Sequence, residues 1–208
     1  MNGYRISLIL LAAWMILSAA TVLGRAQIAP GRTESSNVLT QAVQILNLSP
    51  EVAERHYPVQ LRGVITCFDQ RAELCFVQDS TAGIYVYTKN HTRVYKPGDL
   101  VEVAGVSGAG LFSPIVVWGT LNVTGTGKLP EPKAISIEQL ASGREDSQWV
   151  QVEGVVQRVV EDWGHLVLDL VSGGSRLKIR VLNFPQGSHD DLLDARVRVQ
   201  GVAGTSYN

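Results

Sequence analysis

The chain has 208 residues, 45% of them hydrophobic, with 18 Lys and Arg set against 19 Asp and Glu. That length holds one or two domains with real cores. A formal net charge of −1 gives no basic excess of the kind that displaces counterions from DNA or RNA, so no nucleic-acid partner is expected.

Residues 1–26 read as a targeting segment. Arg5 precedes an apolar run from Ile6 to Leu23, and Gly24 and Ala26 are placed for cleavage before Gln27. The run is long for a cleaved signal and short for a membrane helix, which needs about 20 residues. A signal peptide and an uncleaved membrane anchor both place the remainder in the periplasm or otherwise outside the cytoplasm, because Arg5 stays on the inner side. Residues 27–58 form a connector with a short helix over Val38–Leu48, capped by Asn37 and stopped at Ser49-Pro50.

A first β unit occupies 59–124, with strands expected near 59–68, 74–79, 83–88, 99–107 and 114–118. Asp79 opens a turn that ends in Gly83 and suits an Asx turn. Cys67 and Cys75 flank a polar hairpin turn. In an oxidising compartment they form a disulfide if their Cα atoms come within about 7 Å; the alternative is two buried thiols acting as small hydrophobes. Residues 125–148 make a linker with a short helix near Ile135–Leu140, capped at Ser136. The second unit, 149–208, has strands near 149–160, 164–170, 175–182 and 195–203. A counterpart of Ile115–Trp118 is missing before Asn208. The second copy is therefore expected to be incomplete at its C-terminus, and the chain to be a fragment of a longer protein.

The two units repeat one pattern. Leu61-Arg62-Gly63-Val64 returns as Val152-Glu153-Gly154-Val155, Phe76-Val77-Gln78-Asp79 as Leu166-Val167-Leu168-Asp169, and Val101–Val106 as Val197–Val202. The spacing is roughly 90–96 residues, a domain length and longer than the 20–50 residues of solenoid repeats. A glycine-containing first strand, a hairpin ending in hydrophobic-x-Asp, and Pro97-Gly98-Asp99 opening a fourth strand that carries Gly105 resemble an OB-fold. The resemblance implies an all-β chain with minor short helices: two tandem OB-fold-like five-stranded barrels behind a signal or anchor helix. OB-folds bind mainly through strands 2 and 3.

Leu48-Ser49-Pro50-Glu51-Val52-Ala53, Tyr57–Thr66, Phe76–Asp79 and Ser142–Val150 are more specifically similar to the N-terminal extracytoplasmic region of bacterial sensor (hybrid) histidine kinases. That resemblance implies a non-catalytic input module of a two-component system, taking a small molecule, a saccharide or a protein ligand. It also implies a membrane link, through the N-terminal segment or through a missing C-terminal part, and a homodimer is possible. A free periplasmic or secreted OB-fold binding protein is the alternative, and a nucleic-acid binder whose N-terminus only resembles a leader is a weaker third reading. There is no phospho-accepting histidine motif, ATP-binding glycine box or nucleophile motif in the chain, so no enzyme and no cofactor are expected.

Phe76, Tyr85, Tyr87, Phe112 and Trp118 are the candidate ligand-binding aromatics, with Tyr85 and Tyr87 on one side of a strand. The other reading gives at least half of these aromatics to the barrel core. Arg144, Glu145, Asp146 and Trp149 are candidates for fixing the angle between units. Arg176, Lys178 and Arg180 alternate with Leu177, Ile179 and Val181, as on an ordinary amphipathic strand or an anion site. His56, His91, His165 and His189 are scattered without ligand spacing, so no metal is expected.

Overall fold

The computed structural model describes Ser7–Leu8, 38–88 and 93–205. Its strands are β1 (Ser7–Leu8), β2 (Pro58–Asp69), β3 (Leu74–Gln78), β4 (Gly83–Thr88), β5 (Asp99–Gly108), β6 (Ile115–Thr126), β7 (Lys133–Ala134), β8 (Trp149–Asp162), β9 (His165–Ser172), β10 (Ser175–Val181) and β11 (Arg196–Val202). Three short helices accompany them: α1 (Ala42–Leu46), α2 (Pro50–Ala53) and α3 (Ile137–Leu140). The expected signal or anchor helix lies outside the described residues apart from Ser7–Leu8, which are extended. Among the described residues no helix is long and apolar enough to cross a membrane.

The first unit closes into a barrel in the order β2-β3-β4-β6-β5, with β4 and β6 parallel and the other pairs antiparallel. The second is a sheet in the order β1-β10-β9-β8-β11, with β7 beside β8; its β10-β9-β8-β11 part repeats the first unit's order, and among the described residues no strand lies between β10 and β11. The chain is thus an all-β protein of two tandem OB-fold-like units. Both depend on a glycine in the long first strand. A Cβ on Gly63 would lie 2.6 Å from the Gln78 carbonyl oxygen, and one on Gly154 would lie 2.7 Å from that of Val171. Only a residue without a side chain lets strand 1 coil this tightly over strand 2.

Alternation along the strands fills each interior. Leu61 and Ile65 of β2, Ile84 and Val86 of β4, and Val101 and Val103 of β5 form the first core. Val152 and Val156 of β8, Leu168 and Leu170 of β9, and Leu177 and Ile179 of β10 form the second. Each barrel is plugged by the short helix that precedes it, through Ala42 and Ile45 of α1 or Ile137 and Leu140 of α3.

The plug helices differ from expectation in extent. Instead of spanning Val38–Leu48, α1 covers Ala42–Leu46, because Leu39 bridges in parallel to Val59 and so belongs to the sheet. The expected cap Asn37 lies outside the described residues. Asp79 takes that role from a distance: its Oδ1 accepts from Thr81 and Ala82 N–H in the expected Asx turn, while Oδ2 accepts from Ala42 N–H at 2.8 Å. α3 is capped by Ser136, whose hydroxyl accepts from Gln139 N–H at 3.2 Å. β6 runs to Thr126, well past Trp118, because it pairs with β5 along nearly its whole length.

Candidate functional site

The face that OB-folds commonly use, strands 2 and 3, is closed in the first unit. Phe76 of β3 is 2% exposed and joins Leu74 and Val202 in a third apolar cluster, with Tyr85, Trp149 and Leu182 packed around it. The Phe76 and Tyr85 rings meet at a tilt of 53° with centroids 5.4 Å apart. The Tyr85 hydroxyl donates to the Glu73 carbonyl, and burial pushes its pKa up to about 12. Tyr87 stays exposed, while Trp118 packs its ring 5.0 Å from that of His56 and Phe112 is exposed in the loop before β6. The five expected platform aromatics therefore form no single surface. Phe76 and Tyr85 are seam residues, consumed by contact between the barrels.

The expected interdomain stretch joins this seam only in part. Asp146 accepts from the Ser113 hydroxyl at 3.0 Å through Oδ2 and from Thr205 N–H at 2.9 Å through Oδ1. Trp149 packs in the seam and donates its backbone N–H to Gln78 Oε1 at 3.2 Å. Glu145 instead pairs with Lys133 of its own unit, and the Arg144 backbone N–H donates to the Ser142 hydroxyl. Gln148, which sequence reading did not single out, clamps Gly83 from both sides. Its Oε1 accepts from Gly83 N–H at 2.9 Å and its Nε2 donates to Gly83 O at 3.1 Å.

Two hairpin turns complete the joint. His165 Nε2 lies 2.8 Å from Asp69 Oδ2, with both side chains buried. Asp69 Oδ1 accepts from Arg71 N–H, and the Arg71 guanidinium donates to the Trp163 carbonyl at 3.1 Å. Nothing in the sequence separation of Asp69 and His165 announces this pair; only the docked barrels create it. Cys67 and Cys75 are free, and the register sets Cys67 opposite Phe76 and Cys75 opposite Phe68 because a bulge follows Ile65. The two thiols do not face each other as a pair. Burial pushes both up to about 12.

With the first barrel sealed, the corresponding face of the second stands out. Its β8–β9 hairpin turns on Trp163-Gly164, with Asp162 paired to His165. Trp163 has φ +51° and is 90% exposed. Two-residue hairpins need positive φ at both turn positions and favour Asn, Asp or Gly. A bulky residue there costs about 1 kcal/mol, and this one also leaves its whole ring in water. The Arg71 bond to its carbonyl and Gly164 at φ +74° hold the turn.

Trp163 heads a basic row. On β10, Leu177 and Ile179 point into the core, while Arg176 and Lys178 are exposed and Arg180 is half-buried on the outer side. Arg180 pairs in register with Val167, at the hairpin end of β9, so the order along the face is Trp163, Arg180, Lys178, Arg176. Arg158 of β8 lies 4.0 Å from Asp169, the acid opposite Lys178. Arg180 has no acidic partner among the described residues. The other candidate cations, Arg196 and Arg198, are taken by Glu153, whose carboxyl is held below the usual range chiefly by the Arg198 hydrogen bond. No cluster of three or more His, Cys, Asp or Glu that could hold a metal occurs among the described residues.

No family model and no curated protein matches the chain. Solved structures similar to it include a murine DNA-binding protein bound with double-stranded DNA, at 11% identity and a TM-score of 0.36, over 72% of this chain and 90% of that one. The p202 HIN1 domain in complex with a 12-mer of double-stranded DNA is similar at 5% identity and a TM-score of 0.37, over 72% and 88%. The Ifi202 HINa domain with 20 base pairs of double-stranded DNA follows at 5% and 0.34, over 62% and 78%.

These likenesses are to DNA-bound domains, and at such identities and TM-scores they assign this chain no role. The expected input module of a two-component system, the free exported ligand-binding protein and the exclusion of nucleic acid are corrected on the chain's own residues. The physical reasons lie in this chain. Two of the five aromatics that the ligand-binding reading required, Phe76 and Tyr85, are taken up in the cluster between the barrels, while Tyr87, Phe112 and Trp118 are exposed. The near-zero net charge averages over 18 Lys and Arg spread along the chain, three of which, Arg176, Lys178 and Arg180, share the outer side of β10.

Proposed function

We propose that the chain is a tandem OB-fold module that binds single-stranded nucleic acid on the β9–β10 face of its second barrel. The observation that carries this reading is Trp163, a fully presented indole on a strained turn, at the head of the row Arg180, Lys178 and Arg176. Strand-3 cations in an OB-fold track a phosphate backbone, and an aromatic ring in the loop between strands 1 and 2 stacks on an unpaired base. A base buried in a duplex presents no free π-face to such a ring, so single strands are the substrate. The first barrel serves as support: it leaves Trp163, Lys178 and Arg176 exposed, borders Arg180 across the inter-barrel cleft, and fixes the Trp163 turn through Arg71.

Fluorescence anisotropy with a labelled 12-nucleotide oligo(dT) at low salt tests this. Stacking contributes about 1–3 kcal/mol per base, so Trp163→Ala should weaken binding roughly 5- to 150-fold. Because that side chain is exposed, the melting temperature should stay the same. Unchanged affinity in the variant, or equal displacement of the oligonucleotide by a neutral oligosaccharide, would refute the proposal. The likeness in sequence to sensor-kinase N-terminal regions we propose as shared ancestry of the fold and not of role. A solved structure of such a region with the same strand order in both barrels would support it, and a different order would not.

A further inference from the structure

The fifth strand of the first barrel, β6, makes two pairings. It runs parallel to β4 at Val86↔Val116 and antiparallel to β5 from Asp99↔Thr126 to Gly108↔Ile115. The equivalent slot in the second barrel lies between β10 and β11, and among the described residues no strand joins those two. The slot opens into a cleft of about 780 Å³ between the barrels, lined by Ile179, Leu182, Val199 and Val202 of the second and by Phe68 and Tyr95 of the first. A strand edge over an apolar floor is a template for one more strand.

That edge is already engaged. Ser7–Leu8 pairs with β10 in parallel, with Ser7 opposite Lys178 and Leu8 opposite Ile179. The sense is that of β6 on β4. The backbone register is thereby fixed at two positions, Lys178 and Ile179, and a slip of one residue would move each to the other side of the sheet.

We propose that the chain's own N-terminal segment, through Ser7–Leu8, is the fifth strand of the second barrel, laid parallel to β10 beside the inter-barrel cleft. This inference concerns the strand edge and stands apart from the nucleic-acid face.

A full-length double variant, Ser7→Cys with Lys178→Cys, tests the register under mild oxidation. Paired strands lie about 4.8 Å apart, within the Cα range of a disulfide, about 4.4–6.8 Å. The native Cys67 and Cys75 thiols, both pushed up to about 12, give little background. The expected result is an intramolecular link between positions 7 and 178, found by peptide mass spectrometry, and none when Ser7→Cys is combined with Glu102→Cys on the first barrel. Absence of the link, equal linking in that control, or links formed only between copies would overturn the proposal. Amide exchange gives a second readout. The full chain carrying Ser7→Pro and Leu8→Pro, which cannot donate to a sheet, should exchange its Leu177–Arg180 amides about tenfold or more faster. Unaltered exchange would also overturn it.

Discussion

At the scale of single residues, burial sets the chemistry of the two cysteines. Cys75 is buried and Cys67 half-buried, and removal from water pushes both thiols up to about 12. A raised thiol pKa keeps the proton on sulfur, so reactivity is absent at pH 8 and returns only as pH nears that value or the chain unfolds. At pH 8 the thiolate fraction falls about a thousandfold below that of an ordinary cysteine. A disulfide reagent should label neither thiol in the native chain within minutes and both in denaturant; rapid native labelling of either would contradict the burial. Glycine roles were legible at this scale. Gly63 and Gly154 recur at one position of a repeated strand, and in both units a carbonyl fills the space of the missing side chain. Trp163 was not legible, because Asp162-Trp163-Gly164 lacks the usual residue for a positive-φ turn. That mismatch was the one available signal.

At the scale of elements, the alternation of apolar residues placed most strands within a few residues, since one side of each faces a barrel core. The helix ends were less readable. Val38 and Leu39 fit a helical spacing, yet Leu39 bonds to Pro58 and Gln60 and leaves α1 only five residues long. Such short helices are marginal alone and exist here as plugs, so their caps matter. In α3, Ser136 accepts from Gln139 N–H while the Gln139 side chain accepts from Ser136 N–H. Ser136→Ala should therefore lower stability by about 1 kcal/mol, read as a reduced denaturant midpoint with unchanged slope. Gly, which retains cap geometry better, should cost less. Equal stability of the Ala variant would show that packing of Ile137 and Leu140 alone holds the plug.

At the scale of the whole molecule, the duplication was plain in the sequence and the docking was not. A core aromatic and a ligand-stacking aromatic are the same residue type on the same kind of strand, so Phe76 could not announce that Val202 would cover it. The Gln148 clamp on Gly83 and the Asp69–His165 pair likewise join residues far apart in the chain. Docking has a functional consequence. It takes Phe76 and part of Tyr85 of the first barrel out of solvent, while the row proposed to bind a polyanion, Trp163, Arg180, Lys178 and Arg176, stays at the surface of the second, with Arg180 half-buried.

The most direct test of that claim is the salt dependence of oligo(dT) binding by the intact chain and by Arg176→Ser/Lys178→Ser/Arg180→Ser. Three phosphate contacts to a single strand give a slope of log Kobs against log[salt] of about −2. The intact chain should show that slope, and the triple variant should lose both the slope and most of the affinity. Salt-independent binding, or a triple variant that binds as the intact chain does, would contradict the account.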